Sequence, residues 1–331
     1  MTRDWPADEI LKLARAYQEA CVLAAAADLE LFEAIGAEEL DAREVSERIR
    51  GDPRGTTILL DALAALELLT KREDRYAVPP SLLPLLRPVG PESVLAMVQH
   101  QANCMRRWSR LAQAVRDGQP PERTPSVRGE GRDRASFIEA MHVINRAAAA
   151  ALIDEITPGP FTHLLDVGGG PGTWTIAWLA QQPEARATLF DLPHVIPLAE
   201  DRLRAAGLLD RVTLVAGDFD TDPLPAGADL AWVSAIVHQN SRAENRTLLR
   251  KIHAALVPGG CILIRDVVMD ASRTKPKGGA LFAVNMLAAT TGGGTFTFPE
   301  LAEDLEAVGF KEAKQLREDE WMHAVVAARR P

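Results

Sequence analysis

At 331 residues the chain is longer than one hydrophobic core usually organises, so a main domain with a smaller accessory domain is expected. Its 47% hydrophobic and 25% charged residues are those of an ordinary globular protein, and a formal charge of -9 weighs against nucleic acid or an anionic membrane as partner. No apolar run approaches the ~20 residues that span a bilayer, and Met1-Thr-Arg-Asp-Trp-Pro lacks the basic-then-apolar pattern of a signal peptide, so a cytoplasmic location is expected.

From Glu9 to Ile35 apolar residues recur at helical intervals in an alanine-rich background, which predicts one or two helices. Asp41 followed by Glu44 reads as a capping box opening a further helix, and Thr56 to Leu69 carries an apolar stripe. A polar turn and Tyr76-Ala-Val follow, completing the outline of a winged helix. The last helix of that motif would read DNA, yet beyond Arg54 it shows Asp61 and Glu67 and no basic stripe, so dimerisation is the preferred role. Ser93 to Val115 and Phe137 to Ile156 read as helical, the latter stopped by Thr157-Pro-Gly-Pro, and the Pro-, Gly- and Arg-rich loop Gly118 to Gly131 is the most mobile segment by composition.

Beyond Phe161 apolar strands alternate with amphipathic helices. Strands are predicted at His163 to Val167, Ala187 to Phe190, Val212 to Val215, Leu230 to Ser234 and Cys261 to Val267, with helices at Trp174 to Ala180, Ile196 to Ala206 and Ala243 to Leu256. This is an α/β pattern with a parallel, Rossmann-like sheet covered on both faces. Phe298-Pro-Glu opens another helix, and Lys311 to Leu316 with Trp321 to Ala328 suit a closing antiparallel hairpin.

Leu164-Leu-Asp-Val-Gly-Gly-Gly-Pro-Gly-Thr follows a strand and opens a helix, so Gly168, Gly170 and Gly172 let the backbone turn sharply and approach a ligand. The glycine spacing is not that of a dinucleotide loop, and Asp166 at the strand end would repel a pyrophosphate. The ammonium and sulfonium of S-adenosylmethionine suit it better. Asp191, with Leu192 beside it, ends the next strand where an acid accepts ribose hydroxyls; Asp218 and Phe219 after the third suit the adenine amino group and ring.

On these residues, together with Asp191-Leu-Pro-His-Val-Ile, His238, Leu256-Val-Pro-Gly-Gly and Thr295-Phe-Thr-Phe-Pro-Glu before Ala307-Val-Gly-Phe, the chain resembles the plant-type small-molecule O-methyltransferases and their bacterial relatives. These include the acetylserotonin, caffeate and hydroxyneurosporene O-methyltransferases. The resemblance covers nearly the whole length. It implies a winged-helix dimerisation domain at 1–90, a helical connector at 91–157 contributing to an acceptor pocket, and an S-adenosylmethionine-binding domain at 158–331. It places Gly168, Asp191, Asp218, Phe219 and Ser234 on cofactor positions, although many relatives carry a lysine where this chain has Ser234. Asp166, Gly170 and Leu192 join that set. It further implies a homodimer, S-adenosylhomocysteine as product, and a tailoring role in secondary metabolism.

A sulfonium methyl is already electrophilic, so an enzyme has chiefly to align an oxygen behind it and remove a proton. His238, after the strand ending near Ser234, lies where open α/β sheets bind ligands, and the resemblance makes it the general base with Asp266 orienting it. The family's His-Asp-Trp becomes His238-Gln-Asn here, and a further family acid corresponds to Thr295. The resemblance also assigns Phe137, Met141, Phe282, Asn285 and Met286 to the acceptor pocket, whose apolar character suits an aromatic or polyketide-like molecule. No metal-ligand spacing is present, and Cys21, Cys104 and Cys261 form neither a CxxC pair nor a disulfide framework. Alternatives left open are C- or N-methylation, a relative using the cofactor site for decarboxylation or hydroxylation, and a ligand-responsive DNA-binding protein.

Overall fold

The computed structural model describes residues 4–156 and 159–331; Thr157 and Pro158 of the expected helix stop lie outside them. The chain divides into two compact units, one of residues up to 106 with 124–143, the other of residues 107–123 with 144–331.

The first unit opens with α1 (Ala7–Arg15), α2 (Tyr17–Asp28) and α3 (Leu31–Ile35). The stretch expected as one or two helices is thus three: the chain breaks at Ala16 between α1 and α2, and α3 is set off from α2 by Glu30, whose left-handed conformation (φ 55°) α-helix cannot propagate. β1 (Glu39–Asp41) leads into α4 (Ala42–Ile49), whose start is the expected capping box: Glu44 N–H donates to Asp41 Oδ1 and Asp41 N–H to Glu44 Oε2, each at 2.8 Å. α5 (Pro53–Ala65) begins behind an Asp52 cap with proline in its first turn. β2 (Thr70–Arg72) and β3 (Arg75–Ala77) form the wing, β3 pairing also with β1. Leu31, Ile35, Val45, Leu60, Leu63 and Tyr76 build its core.

α6 (Leu83–Leu86) and α7 (Leu95–Trp108) follow, then α8 (Leu111–Asp117), so the helical reading of Ser93 to Val115 resolves into two helices broken at Ser109–Arg110. α9 (Glu130–Asn145) is preceded by the loop expected to be mobile. Its second half is tied down, because fully buried Asp133 accepts the Ser126 N–H at 2.8 Å and the Ser126 hydroxyl, and pairs with Arg128 at 3.2 Å. α10 (Ala149–Ile156) enters the second unit's main body.

There β4 (His163–Val167), α11 (Thr173–Gln181), β5 (Arg186–Asp191), α12 (Ile196–Ala205), β6 (Val212–Ala216), β7 (Ala228–Ser234), α13 (Arg242–Ala255) and β8 (Leu256–Asp266) alternate. β9 (Val268–Met269), α14 (Lys277–Ala289), β10 (Phe296–Thr297), α15 (Phe298–Ala307), β11 (Lys311–Arg317) and β12 (Ala324–Arg329) complete the chain. The seven-stranded sheet runs β11-β12-β8-β7-β4-β5-β6, parallel except for β12 between β8 and β11. Strand order reverses between β4 and β7, which leaves a crevice at their carboxyl ends. Two features go beyond the sequence reading. β8 starts at Leu256 rather than Cys261, since Gly259 N–H donates to the Arg330 carbonyl and Arg330 N–H to that of Gly260. β9 and β10 form a two-residue parallel pair, too short for any periodicity to show.

Side chains alternate across the sheet, as strand geometry requires. Leu165, Val233 and Ile264 face α13 and α15 with Leu248, Ile252, Leu301 and Phe310. Leu164, Trp232 and Leu263 face α10, α11 and α12 with Ile153, Trp178 and Leu203. Trp178 stands edge-on to Trp232 at 5.4 Å and to Phe161 at 5.6 Å, the arrangement aromatic quadrupoles favour. We predict that Trp232→Ala lowers stability by ~3–5 kcal/mol, read from denaturant midpoints by far-ultraviolet circular dichroism. A loss below ~1 kcal/mol would show that this ring does not organise its face of the core.

Candidate active site

The carboxyl ends of β4, β5, β6, β7 and β8 bring most of the expected site residues to one edge. After Val167 the chain turns at Gly168 (φ 66°), whose N–H donates to the Phe190 carbonyl at 2.8 Å; a Cβ there would meet Ile236 Cδ1 at 2.6 Å. Only glycine satisfies both conditions. Around Gly170 the space is open, and its N–H donates to Asp191 Oδ2 at 2.7 Å while Leu192 N–H donates to Oδ1 at 2.7 Å. Burial raises the Asp191 carboxyl above the usual range, and these two N–H groups pull it back. Leu192 itself is exposed.

Asp166 lies deeper. It is buried under the loop and accepts the Thr175 hydroxyl on Oδ2 at 2.6 Å. At the end of β6, half-buried Asp218 accepts the Asp220 N–H at 2.9 Å, and half-buried Phe219 packs against the α13 side of the core. Lys251 ties this turn down by donating to the carbonyls of Phe219, Asp220 and Asp222.

Past Ser234 the backbone swings through Ala235, a non-glycine residue with φ 60°, into a single 3₁₀ turn, Val237–Gln239. Such a conformation costs of order 1 kcal/mol and persists only where neighbours impose it. Here Ala235 N–H donates to the Arg265 carbonyl at 2.8 Å, Asn245 Nδ2 to the Val237 carbonyl at 2.8 Å, and Gly294 N–H to the His238 carbonyl at 2.9 Å. A Cβ on Gly293 would come within 2.5 Å of that same His238 oxygen, so the Gly292-Gly-Gly turn is packed onto the histidine backbone. The turn presents His238, buried, with Nδ1 2.9 Å from Asp266 Oδ1 and 3.0 Å from Oδ2. Asp266 is held in turn by the His238 and Val267 N–H groups. A carboxylate at Nδ1 selects the tautomer with the proton on that nitrogen, leaving Nε2 as an acceptor.

Phe282 of α14 stands edge-on to the His238 ring at 4.8 Å. Asn285, one turn on, accepts from Trp108 Nε1 at 2.9 Å, and Met286 is buried. Phe137 and Met141 belong to α9 in the first unit, where Phe137 is half exposed with its ring 5.1 Å from that of His100. Thr295 is buried, its carbonyl accepting from Arg273. Among the described residues no group of three or more His, Cys, Asp or Glu side chains is placed to hold a metal ion.

Sequence reasoning passed over Arg265. It is 1% exposed, donates to Ser234 Oγ at 2.9 Å, Asn145 Oδ1 at 2.7 Å and His323 Nδ1 at 3.1 Å, and lies over the Trp174 ring at 4.6 Å. Its signal was a cation inside the apolar run Cys261-Ile-Leu-Ile-Arg-Asp-Val. Burial pulls the guanidinium down to about 10, with the Asp266 and Asp319 charges acting the other way.

Burial pushes Asp166 up from 3.8 to about 7, the Thr175 hydroxyl opposing and the Asp191 charge adding to it. The folded protein then holds a proton that the unfolded chain has lost between those values. Asp166 therefore stabilises the fold fully below about pH 4, and its contribution fades as pH rises through 7. His323 has the opposite sense: burial, reinforced by the Arg265 charge, lowers it from 6.5 to about 4, so its contribution grows with pH over much of that window. We predict that Asp166→Asn removes part of the stability loss between pH 4 and 7, measured as urea midpoints of variant and native protein side by side. Identical pH slopes would contradict a protonated Asp166.

The geometry accords with what comparison shows. An O-methyltransferase domain model matches residues 108–311 and an O-methyltransferase dimerisation domain model residues 11–80. A 3-hydroxy-5-methyl-1-naphthoate 3-O-methyltransferase of Streptomyces sahachiroi is 34% identical over 89% of this chain and 87% of its own length. The tetracenomycin polyketide synthesis 8-O-methyl transferase TcmO of Streptomyces glaucescens is 31% identical over 92% of each. The structure of human N-acetylserotonin methyltransferase in complex with SAM superposes with a TM-score of 0.78 at 26% identity, covering 100% of this chain and 99% of that one. The chain belongs to the O-methyltransferase family whose catalytic domain is preceded by a dimerisation domain.

Proposed function

We propose that the protein transfers the methyl group of S-adenosylmethionine to a hydroxyl of a small aromatic or polyketide-like molecule, with His238 as general base. The observation that carries the reading is the buried His238–Asp266 pair at 2.9 Å, set at the sheet edge that also holds the glycine loop. The residues at that edge fit the cofactor. Acidic side chains at the ends of β5 and β6, with Asp166 ionising only as pH rises through about 7, suit a ligand that is cationic at sulfur and nitrogen and carries a ribose diol, and the space at Gly170 is open. Asp191, oriented by two N–H groups, is assigned to the ribose, and Asp218 and Phe219 to the adenine. When bound, the cofactor supplies an electrophilic methyl and leaves as S-adenosylhomocysteine.

The chain's own task is then to hold and deprotonate the acceptor. His238 Nε2 accepts the hydroxyl proton, and Asp266 stabilises the imidazolium as it forms while keeping the ring from rotating. Phe282 supplies an apolar wall beside the ring, and Asn285 and Met286 on the same helix are assigned to the acceptor side. The naphthoate and tetracenomycin relatives lead us to test phenolic polycyclic acceptors first. Free thiols at all three cysteines suit the reducing cytoplasm as the place of action.

The dimerisation domain is read as making a homodimer. In support, α1 buries no residue and exposes Ile10, Leu11 and Leu13, with Tyr17 at the start of α2 exposed beside them, an apolar surface unusual for helices left in water. We expect light scattering to give twice the 36.0 kDa of one chain at micromolar concentration; a mass of one chain would count against it.

For the chemistry, His238→Ala is expected to slow S-adenosylhomocysteine formation ~10²–10⁴-fold while leaving calorimetric cofactor affinity unchanged. Asp266→Asn should slow it less, because the ring stays in place but loses the carboxylate that orients it and fixes its tautomer. Near-native turnover by His238→Ala would overturn the assignment of the base.

A further inference from the structure

The mechanism leaves one buried charge without a task. Arg265 closes β8 beside Asp266, but strand alternation turns it to the other face, so it is separated from His238 by the sheet. Its partners are Ser234, Asn145, His323 and the Trp174 ring, none of them a carboxylate. The two acids whose charges it feels are engaged elsewhere, Asp266 with His238 and Asp319 with Arg317 at 2.7 Å. Burying a guanidinium against neutral groups alone is costly, and a hydrophobic residue would fill the volume more cheaply.

The position of those neutral groups shows where the charge is directed. Ser234 is the in-register partner of Arg265 across the β7–β8 ladder and ends β7 next to β4, the strand that feeds the glycine loop. Trp174 lies in the first turn of the helix that the same loop opens. Arg265 donates to the Ser234 oxygen, which directs the hydroxyl hydrogen away from the guanidinium. It donates likewise to Asn145 Oδ1, which turns the amide nitrogen away from it. A cation with a polarised hydroxyl in front of it is an arrangement for an anion. In S-adenosylmethionine the acids Asp166, Asp191 and Asp218 suit the cationic and adenosyl parts, and the one anionic group is the amino-acid carboxylate.

We propose that Arg265 is a positioning residue for that carboxylate, acting through Ser234 and by its charge. The cation reaches the end of β7 from the neighbouring strand. The proposal rests on the cofactor reading above and adds to it the recognition of the amino-acid end.

The test uses full-length protein and calorimetry with two probes, S-adenosylhomocysteine and its decarboxylated counterpart, which keeps adenosine, sulfur and amine. The native protein is expected to prefer the carboxylate-bearing probe by about tenfold to a hundredfold, the usual contribution of a charge-assisted contact. In Arg265→Met the preference should collapse toward unity, with the decarboxylated probe bound as before. Arg265→Lys, which keeps the charge and a foldable protein, should retain part of the preference, and Arg265→Met with Ser234→Lys should restore it by returning the cation from β7. Equal binding of both probes by the native protein, or an equal loss for both in Arg265→Met, overturns the proposal and leaves Arg265 a packing element. Binding of neither probe by the native protein overturns the cofactor reading itself.

Discussion

The in-register pairing of β7 with β8 governs the rest of the site. Ser234 lies opposite Arg265 at the carboxyl ends of both strands, and Asp266 comes one residue later. Because side chains alternate, consecutive positions on β8 deliver an acid to one face and a cation to the other. The acid meets His238 where the chain leaves β7, and the cation meets Ser234 where β7 ends. A slip of one residue in this ladder would exchange the two, leaving the histidine against a guanidinium. Antiparallel β12 secures the register from the other side, pairing Val325 with Arg265 and Ala324 with Asp266.

How much of this was legible beforehand depends on the length of the pattern that carries it. β4, β5 and β7 are near-continuous apolar runs, as strands covered on both faces must be, and their ends carry the acids and glycines that the sequence analysis singled out. The pairing of His238 with Asp266 was available only through the resemblance, since nothing in the spacing of two residues on different elements fixes a hydrogen bond. The start of β8 was hidden because Pro258, Gly259 and Gly260 carry turn chemistry, while partners on the distant Arg330 keep that backbone in a ladder. Arg265 was hidden for a related reason: a charged residue ending an apolar strand reads as the solvent boundary, whereas tertiary packing encloses it with Asn145, His323 and Trp174.

The polar groups of the catalytic unit fall into two kinds. Asp304 and Arg242 at 2.8 Å, with Arg246 at 2.6 Å, form a satisfied network between α13 and α15, and the capping boxes at Ser241 and Thr297 open the same helices. These lock the fold. Asp166, Asp191 and Arg265 instead are groups whose charged forms burial penalises and partners only partly offset; Asp166 and Asp191 border the glycine loop, and Arg265 stands near the carboxyl end of β8 at the same sheet edge. Perturbed groups gathered at one sheet edge mark a place where stability is set below its maximum in favour of a ligand.

The tethers on His238 divide the labour of specificity. The histidine is fixed by Asp266 of β8, by Asn245 of α13 through the Val237 carbonyl, and by the backbone of the Gly292–Gly294 turn. Among these described bonds none uses a side chain of α14, whose Phe282 only rests against the ring. The side chains of that helix can therefore be exchanged without loosening the tethers on His238. If α14 faces the acceptor, as proposed, a lineage built on this plan can change the molecule it modifies by repainting one helix face, keeping its reaction while its product changes.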